Sequence, residues 1–253
     1  MTLHELPLWA MGGIMVGGAV ATAGMIGWAT RAWYRRTQEP AFDKWETMLG
    51  VLAVLTALLV TFLANNVWTD VTEANHVVRD EARALQQAIN IAESLPRIEA
   101  PLRALIHRYV VELVEREWDA MARDEIDDAT PSLLRDAERF VLAIVPENDN
   151  ERLVHGRLAR HLEAASEARF KRLEISHRKV APLRWAGVLV AIVLTLITIA
   201  VVHVRNPRAQ VILLGFYATS IGAILLQILA YDRPFVGAII VGPEPFLGLL
   251  RLP

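Results

Sequence analysis

The chain contains no cysteine among its 253 residues, which excludes disulfide bonds, thiol nucleophiles and thiolate metal sites. Charge is also missing from four long stretches, since residues 8–30, 47–64, 185–202 and 210–230 hold no Asp, Glu, Lys, Arg or His. About 20 apolar residues of helix cross the hydrocarbon core of a bilayer. Each stretch is therefore a candidate membrane span, and the composition predicts an integral membrane protein.

The spans define the expected order of segments along the chain. We expect a transmembrane hairpin at 1–69 with spans near 8–30 and 47–68, a water-facing helical bundle at 70–182, a second transmembrane hairpin at 183–230, and a non-helical tail, rich in Pro and Gly and packed at the membrane face, at 231–253. A cleaved signal peptide is the alternative for the first span, because Ala19-Val20-Ala21 resembles a cleavage site. Residues 1–7 carry no Lys or Arg, which favours a retained span.

The segment between spans two and three shows apolar residues at helical spacing throughout. Four apolar stripes begin at Val71, Leu102, Leu133 and Leu153, and prolines or an acidic turn separate them. No strand pattern competes with them. The sequence thus predicts an all-α protein with four transmembrane helices and a helical-bundle insert. We expect the first and last helices of the insert to continue spans two and three, the last one running to about Lys179.

Basic residues give opposite predictions for the side of the membrane that the insert faces. The short loops between spans carry one set, which favours a cytoplasmic position for those loops: Arg31, Arg35, Arg36, Lys44, Arg205 and Arg208. The insert carries a second set close to span three, which favours a cytoplasmic insert: Arg169, Lys171, Arg172, Arg178, Lys179 and Arg184. Both orientations stay open.

The polar residues of the insert show no pattern typical of an enzyme or a metal site. Four histidines are scattered rather than placed at metal-ligand spacing: His107, His155, His161 and His177. An acidic run could bind Ca²⁺ but lacks the glycine and the spaced Glu of an EF-hand, which favours a plain turn: Asp124, Glu125, Asp127 and Asp128. No nucleophile–base pair or phosphate loop is present. We expect no enzyme, no cofactor and no metal, and the net charge of −2 without a basic stripe predicts no nucleic-acid partner.

Two features of the spans bear on assembly and transport. Gly13, Gly17 and Ala21 share one face of the first span, where small residues allow close helix packing, either within the chain or between subunits. The spans hold no ionisable residue, which argues against a proton relay or a voltage sensor. An ion that crosses here would pass an apolar constriction of the dewetting kind.

The tail after the fourth span is the most distinctive stretch of the sequence. It reads D-R-P-F-V-G and then G-P-E-P-F, and its marked residues are Asp232, Arg233, Pro234, Phe235, Gly237, Pro243, Glu244, Pro245 and Phe246. Together with the four spans, Val67-Trp68-Thr69-Asp70, Ser94-Leu95-Pro96 and Glu117-Trp118, this tail resembles the bestrophin-like family of bacterial and plant membrane proteins. The resemblance covers nearly the whole chain and implies a structural tail linked to gating.

A more remote resemblance connects the chain to the true bestrophins, which are pentameric anion channels. Residues 60–68 of span two are similar to the bestrophin pore helix, and this implies a hydrophobic neck lined by Val54, Leu58 and Phe62. Packing of Val54 and Leu58 against lipid or another helix is the alternative. The bestrophin tail supplies acidic residues to a Ca²⁺ clasp, whereas here only Asp232 stands near that position, with Glu244 further on.

The sequence favours two possible functions. The first is a homo-oligomeric anion channel, a pentamer by resemblance, embedded as a multi-pass protein in the lipid bilayer of the cell inner membrane. The second is a non-conducting membrane sensor or scaffold whose helical insert binds a partner.

Overall fold

A computed structural model gives the structure of the chain and describes residues 7–37, 45–123, 125, 130–178, 182–236 and 241–250. All regular secondary structure in these ranges is helical, which confirms the all-α prediction. The helices are α1 (Leu8–Thr37), α2 (Trp45–Ala92), α3 (Pro96–Glu112), α4 (Trp118–Ala122), α5 (Thr130–Leu142), α6 (Asp149–Ser176), α7 (Pro182–Val202), α8 (Pro207–Tyr231) and α9 (Glu244–Leu250), with a π-helical turn at Leu113–Glu117 between α3 and α4.

The chain folds as two compact units. The membrane unit comprises residues 1–69 and 179–239, and the bundle unit comprises 70–178 and 240–253. Four helices are long and apolar enough to cross a membrane, namely Leu8–Thr37, Met48–Ala92, Pro182–Val202 and Pro207–Tyr231. These helices contain the four predicted spans.

Close contact between α1 and α8 organises the membrane unit. A Cβ atom added at Gly222 would lie 2.8 Å from the Cα of Val16, so only glycine lets the two helices approach this closely. Gly13 and Gly17, by contrast, have no atom within 4 Å of an added Cβ, and both are exposed together with Ala21. No described residue of the chain packs against Gly13 or Gly17, and contact of this face between subunits stays a prediction.

The bundle unit is built from α3 to α6, α9 and the part of α2 that follows Thr69. Asn148 caps α6 by accepting a hydrogen bond from the backbone N–H of Glu151. Leu158, Leu162 and Ala165 form the buried face of α6 as predicted, but Leu153 is 54% exposed. The buried stripe begins instead at Val154, because this position lies four residues, about one turn, before Leu158.

The expectation that the insert continues the spans is correct at one end and wrong at the other. Helix α2 runs without a break from Trp45 to Ala92 and thus extends span two. Helix α6 ends at Ser176 rather than near Lys179, and a separate helix begins at Pro182. A proline disfavours helical geometry in the residue before it and is well suited to a first helical turn, so the chain starts a new helix there.

The tail was expected to be non-helical, and this is wrong for its second half. Residues Glu244–Leu250 form α9, in which Phe246 and Leu249 are buried. Pro245 lies in the first turn, where the missing N–H of proline has no partner in a helix anyway. Proline therefore marks the start of a helix here and not its end. Gly237 lies outside the described residues.

Candidate functional site

The membrane-crossing part of α2 presents an apolar face that is exposed in the described part of the chain. Val54 is 62% exposed, Leu58 is 50% exposed and Phe62 is 65% exposed. These residues are spaced by four, so they follow one another along the same side of the helix. The three residues that the family resemblance implies for a neck thus lie together on one exposed side of α2.

The opposite side of α2 is fixed to the core of the membrane unit. The Thr56 hydroxyl is buried, lies 2.9 Å from the Thr195 hydroxyl of α7 and donates to the carbonyl oxygen of Ala191 at 3.3 Å. Successive residues of an α-helix are about 100° apart, so positions two residues before or after Thr56 point about 160–200° away from it. This contact therefore turns Val54 and Leu58 away from the chain's own core.

A buried cluster of charged residues forms the centre of the bundle unit. Arg172 of α6 is completely buried, and its Nε donates to Glu81 Oε2 at 2.8 Å while its Nη2 donates to Glu117 Oε1 at 2.9 Å. Arg169 donates to the other oxygen of Glu117 at 3.0 Å. Tyr109 donates its hydroxyl to Glu81. We call these five residues the buried charge cluster.

Formal charges balance within this cluster, because two arginines face two carboxylates. Burial lowers the pKa of Arg172, but the attraction of Glu81 and Glu117 outweighs burial and raises it above the ordinary arginine value. The pKa of Tyr109 is raised well above its ordinary value, first by burial and second by the negative charge of Glu81. Both side chains therefore keep their protons at all ordinary pH values, and the cluster acts as a fixed set of hydrogen bonds.

The tail helix α9 packs near the same cluster. The Phe246 ring meets the Trp118 ring edge-on, with 6.1 Å between centroids and 67° between planes. The guanidinium of Arg172 lies over the Trp118 ring, 5.3 Å from the ring centroid. The π-helical turn at Leu113–Glu117 precedes Trp118 and directs Glu117 into the core. Phe246 of the predicted tail motif is thus joined to Arg172 through one aromatic side chain.

The other predicted tail residues lie in different surroundings. Asp232 follows the last turn of α8 as its C-terminal cap residue, and Phe235 is buried in the membrane unit. Glu244 begins α9, directly after Pro243. No group of three His, Cys, Asp or Glu side chains that could hold a metal occurs among the described residues. Of the acidic run, only Glu125 lies within them, and it pairs with Arg123 at 2.9 Å.

The buried charge cluster was not predicted from the sequence, although three of its four ions carry a detectable signal. Glu81 stands three residues after Val78 and four before Leu85, so it falls on the apolar stripe of its own helix. Glu117 and Arg172 occupy equivalent places: Glu117 lies four residues after Leu113 and four before Met121, and Arg172 lies four after Ala168 and three before Ile175. A charge on the buried side of an amphipathic helix requires a partner, so three such charges predict buried ion pairs without stating which residues pair.

Comparison with known proteins agrees with this fold. The family model described as the Bestrophin-like domain matches residues 17–246. The crystal structure of a bacterial Bestrophin homolog from Klebsiella pneumoniae superimposes with a TM-score of 0.70 at 11% identity, covering 94% of this chain and 95% of that one. A single-site variant of the same homolog gives a TM-score of 0.72 at 10% identity, covering 94% and 96%. None of the curated proteins matches the sequence.

Proposed function

Because the chain belongs to the bestrophin-like family, whose model it matches over residues 17–246, we propose that it is one subunit of a homo-oligomeric anion channel. The channel is a pentamer in the cell inner membrane, and each subunit crosses the bilayer four times. Its four long apolar helices support the membrane assignment. The likeness to the bacterial homolog supports the fold on which this proposal rests.

The observation that carries the proposal is the uncovered apolar face of α2. Val54, Leu58 and Phe62 are between 50% and 65% exposed in the single chain, while Thr56 holds the opposite side of the helix in the core. When several copies surround one axis, these faces meet and form a narrow apolar neck. Such a neck controls ion passage by wetting and dewetting, without any charged residue in the spans.

We further propose that the tail couples the bundle unit to the opening of the neck. The first half of the tail motif, Asp232 to Phe235, ends the last span, and the second half reaches Trp118 through Phe246. Both halves belong to one short stretch of the sequence, and this is the basis for the proposed coupling. This assigns the motif a structural and gating role and no role in binding ions.

Chloride flux through the purified protein in liposomes tests the proposal. We expect the wild type to conduct and Leu58→Ala to alter the flux, because the substitution widens the neck. Leu194→Ala is the matched control, since Leu194 is 46% exposed on α7 and Leu58 is 50% exposed on α2. Well-reconstituted oligomers that carry no chloride would contradict the channel.

One feature favours the second function, a sensor or scaffold whose helical insert binds a partner. A groove of about 550 Å³ lies between α5 and α6 and combines the apolar side chains Leu142 and Phe170 with Glu138, Glu163 and Glu167. Phe170 is 68% exposed and Leu142 is 67% exposed, so the groove carries exposed apolar surface of the kind that marks an interaction site. A monomer or dimer by mass measurement in detergent, with a partner retained only when residues 70–178 are present, would favour this function over the channel.

A further inference from the structure

A groove in the membrane unit has an apolar floor and a positively charged end. It lies between α1 and α8 and has a volume of about 220 Å³. Its lining includes three small residues that we call its floor, Ala23, Gly24 and Gly215, and a Cβ added at either glycine meets no described atom within 4 Å. Val20 and Val211 also line the groove. The small residues of the floor therefore leave open space between α1 and α8, beside an apolar surface.

Arg31 lines one end of this groove and is held in a fixed orientation. Its Nη2 donates to the carbonyl oxygen of Pro207 at 2.9 Å, and its Nε donates to the side chain of Gln210. Gln210 is itself completely buried, and it donates to the Ala200 carbonyl at 2.6 Å. Two donors of the guanidinium are engaged in this way, which leaves further N–H groups for a ligand.

The positive charge of Arg31 is not neutralised by the part of the chain that the structure describes. No carboxylate of residues 7–37, 45–123, 125, 130–178, 182–236 or 241–250 forms an ion pair with it. The arginine lies only six residues from the end of α1, where a span leaves the hydrocarbon region. An anion at the membrane surface is the partner that such a charge favours.

Trp28 also indicates that this end of the groove lies at the membrane surface. It also lines the groove, and it is 74% exposed although it belongs to an apolar helix. Tryptophan concentrates at the boundary between lipid headgroups and acyl chains, because one part of its ring is apolar and the other donates a hydrogen bond. Arg31 follows Trp28 by one turn toward the end of the helix. The headgroup region therefore begins close to Arg31, and the floor of the groove extends toward the acyl chains.

We propose that this groove binds an anionic phospholipid. The lipid phosphate accepts hydrogen bonds from the N–H groups of Arg31 that have no acceptor among the described residues, and one acyl chain covers Gly24 and Gly215. The charge selects anionic over zwitterionic headgroups, and the apolar floor selects a lipid over a soluble phosphate. Lipid binding at this site does not depend on whether the protein conducts ions.

Native mass spectrometry of the purified protein in detergent tests the proposal. Phosphatidylglycerol and phosphatidylcholine with identical acyl chains are titrated at equal concentrations. We expect phosphatidylglycerol to be retained about fivefold better, since one basic residue contributes about 1 kcal/mol toward an anionic lipid. Arg31→Gln should remove this preference, whereas Arg35→Gln, on an exposed residue of the last turn of α1, should keep it.

A second pair of variants tests the groove independently of the charge. Gly215→Leu should reduce retention of both lipids, because its side chain fills the groove without meeting another atom at its Cβ. Gly187→Leu is the control, since an added Cβ there also meets nothing within 4 Å but lies on α7. This pair remains informative even if Arg31→Gln fails to fold.

Three results would overturn the proposal. The first is equal retention of the two lipids by the wild type. The second is retention of glycerol 3-phosphate in place of lipid, which would identify a soluble phosphate as the ligand. The third is a loss of oligomers in Gly215→Leu when no lipid is retained by the wild type, which would show that a second copy of the chain fills the groove.

Discussion

Replacing Arg172 by methionine tests how the bundle unit is held together. The arginine is completely buried and bonds to Glu81 at 2.8 Å and to Glu117 at 2.9 Å, so its removal leaves two buried carboxylates with one arginine and one tyrosine between them. Breaking a buried ion pair in this way costs about 3–5 kcal/mol. Folded domains are stable by only about 5–15 kcal/mol, so this loss is large.

Arg178→Met is the matched control for the loss of unfolding free energy in Arg172→Met. Arg178→Met also removes an arginine that contacts several carboxylates, but its side chain is 40% exposed, and we expect a change of about 0–1 kcal/mol. Unfolding followed by tryptophan fluorescence in detergent is a suitable assay, because Trp118 lies against Arg172. The double variant Arg172→Met with Glu81→Gln should recover part of the loss, since it removes both members of one pair. A difference of less than about 1 kcal/mol in unfolding free energy between Arg172→Met and Arg178→Met would contradict the stabilising role of the buried charge cluster.

Three further predictions follow from the packing and the titrating groups. Gly222→Ala should destabilise the membrane unit by about 1–3 kcal/mol, because its Cβ would lie 2.8 Å from the Cα of Val16, whereas Gly187→Ala should have little effect on thermal unfolding. Phe246→Ala should release α9 from the bundle unit, which faster hydrogen exchange of residues 244–250 would show; unchanged protection would contradict it. The raised pKa of Tyr109 means that the folded state retains this proton more strongly than the unfolded state. Its contribution is therefore complete below about pH 10 and is lost at higher pH, so Tyr109→Phe should flatten the alkaline fall in stability.

The helices could be predicted from the sequence because their signals are local. A stretch of 18 or more residues without charge defines a span, and the periodic apolar residues of α3, α5 and α6 define the bundle. The ends of the helices are harder to predict than their presence, and the tail is an example. The prolines of the tail favour a non-helical segment, yet Pro245 fits the first turn of a helix, and its place directly after Glu244 at the start of α9 decides between the two.

Contacts between distant residues were harder to predict. Glu81 and Arg172 are 91 positions apart, and nothing in a single sequence states that two such residues meet. The glycines of α1 and α8 also show that spacing in the sequence does not identify the contact between helices. Gly13 and Gly17 have the spacing of a packing face, yet in the structure Gly222 lies against Val16, while Gly13 and Gly17 are exposed. Which side of α1 faces α8 depends on the partner helix and not on the spacing alone.

The absence of cysteine permits the most direct test of the channel. A single Leu58→Cys substitution introduces the only thiol of the chain at the proposed neck. A bulky methanethiosulfonate reagent should then block chloride flux in liposomes, because the modified side chain fills the neck. The same reagent should not change the flux of Leu194→Cys. Full modification of Leu58→Cys by mass, with flux unchanged, would contradict the assignment of this face of α2 to a pore.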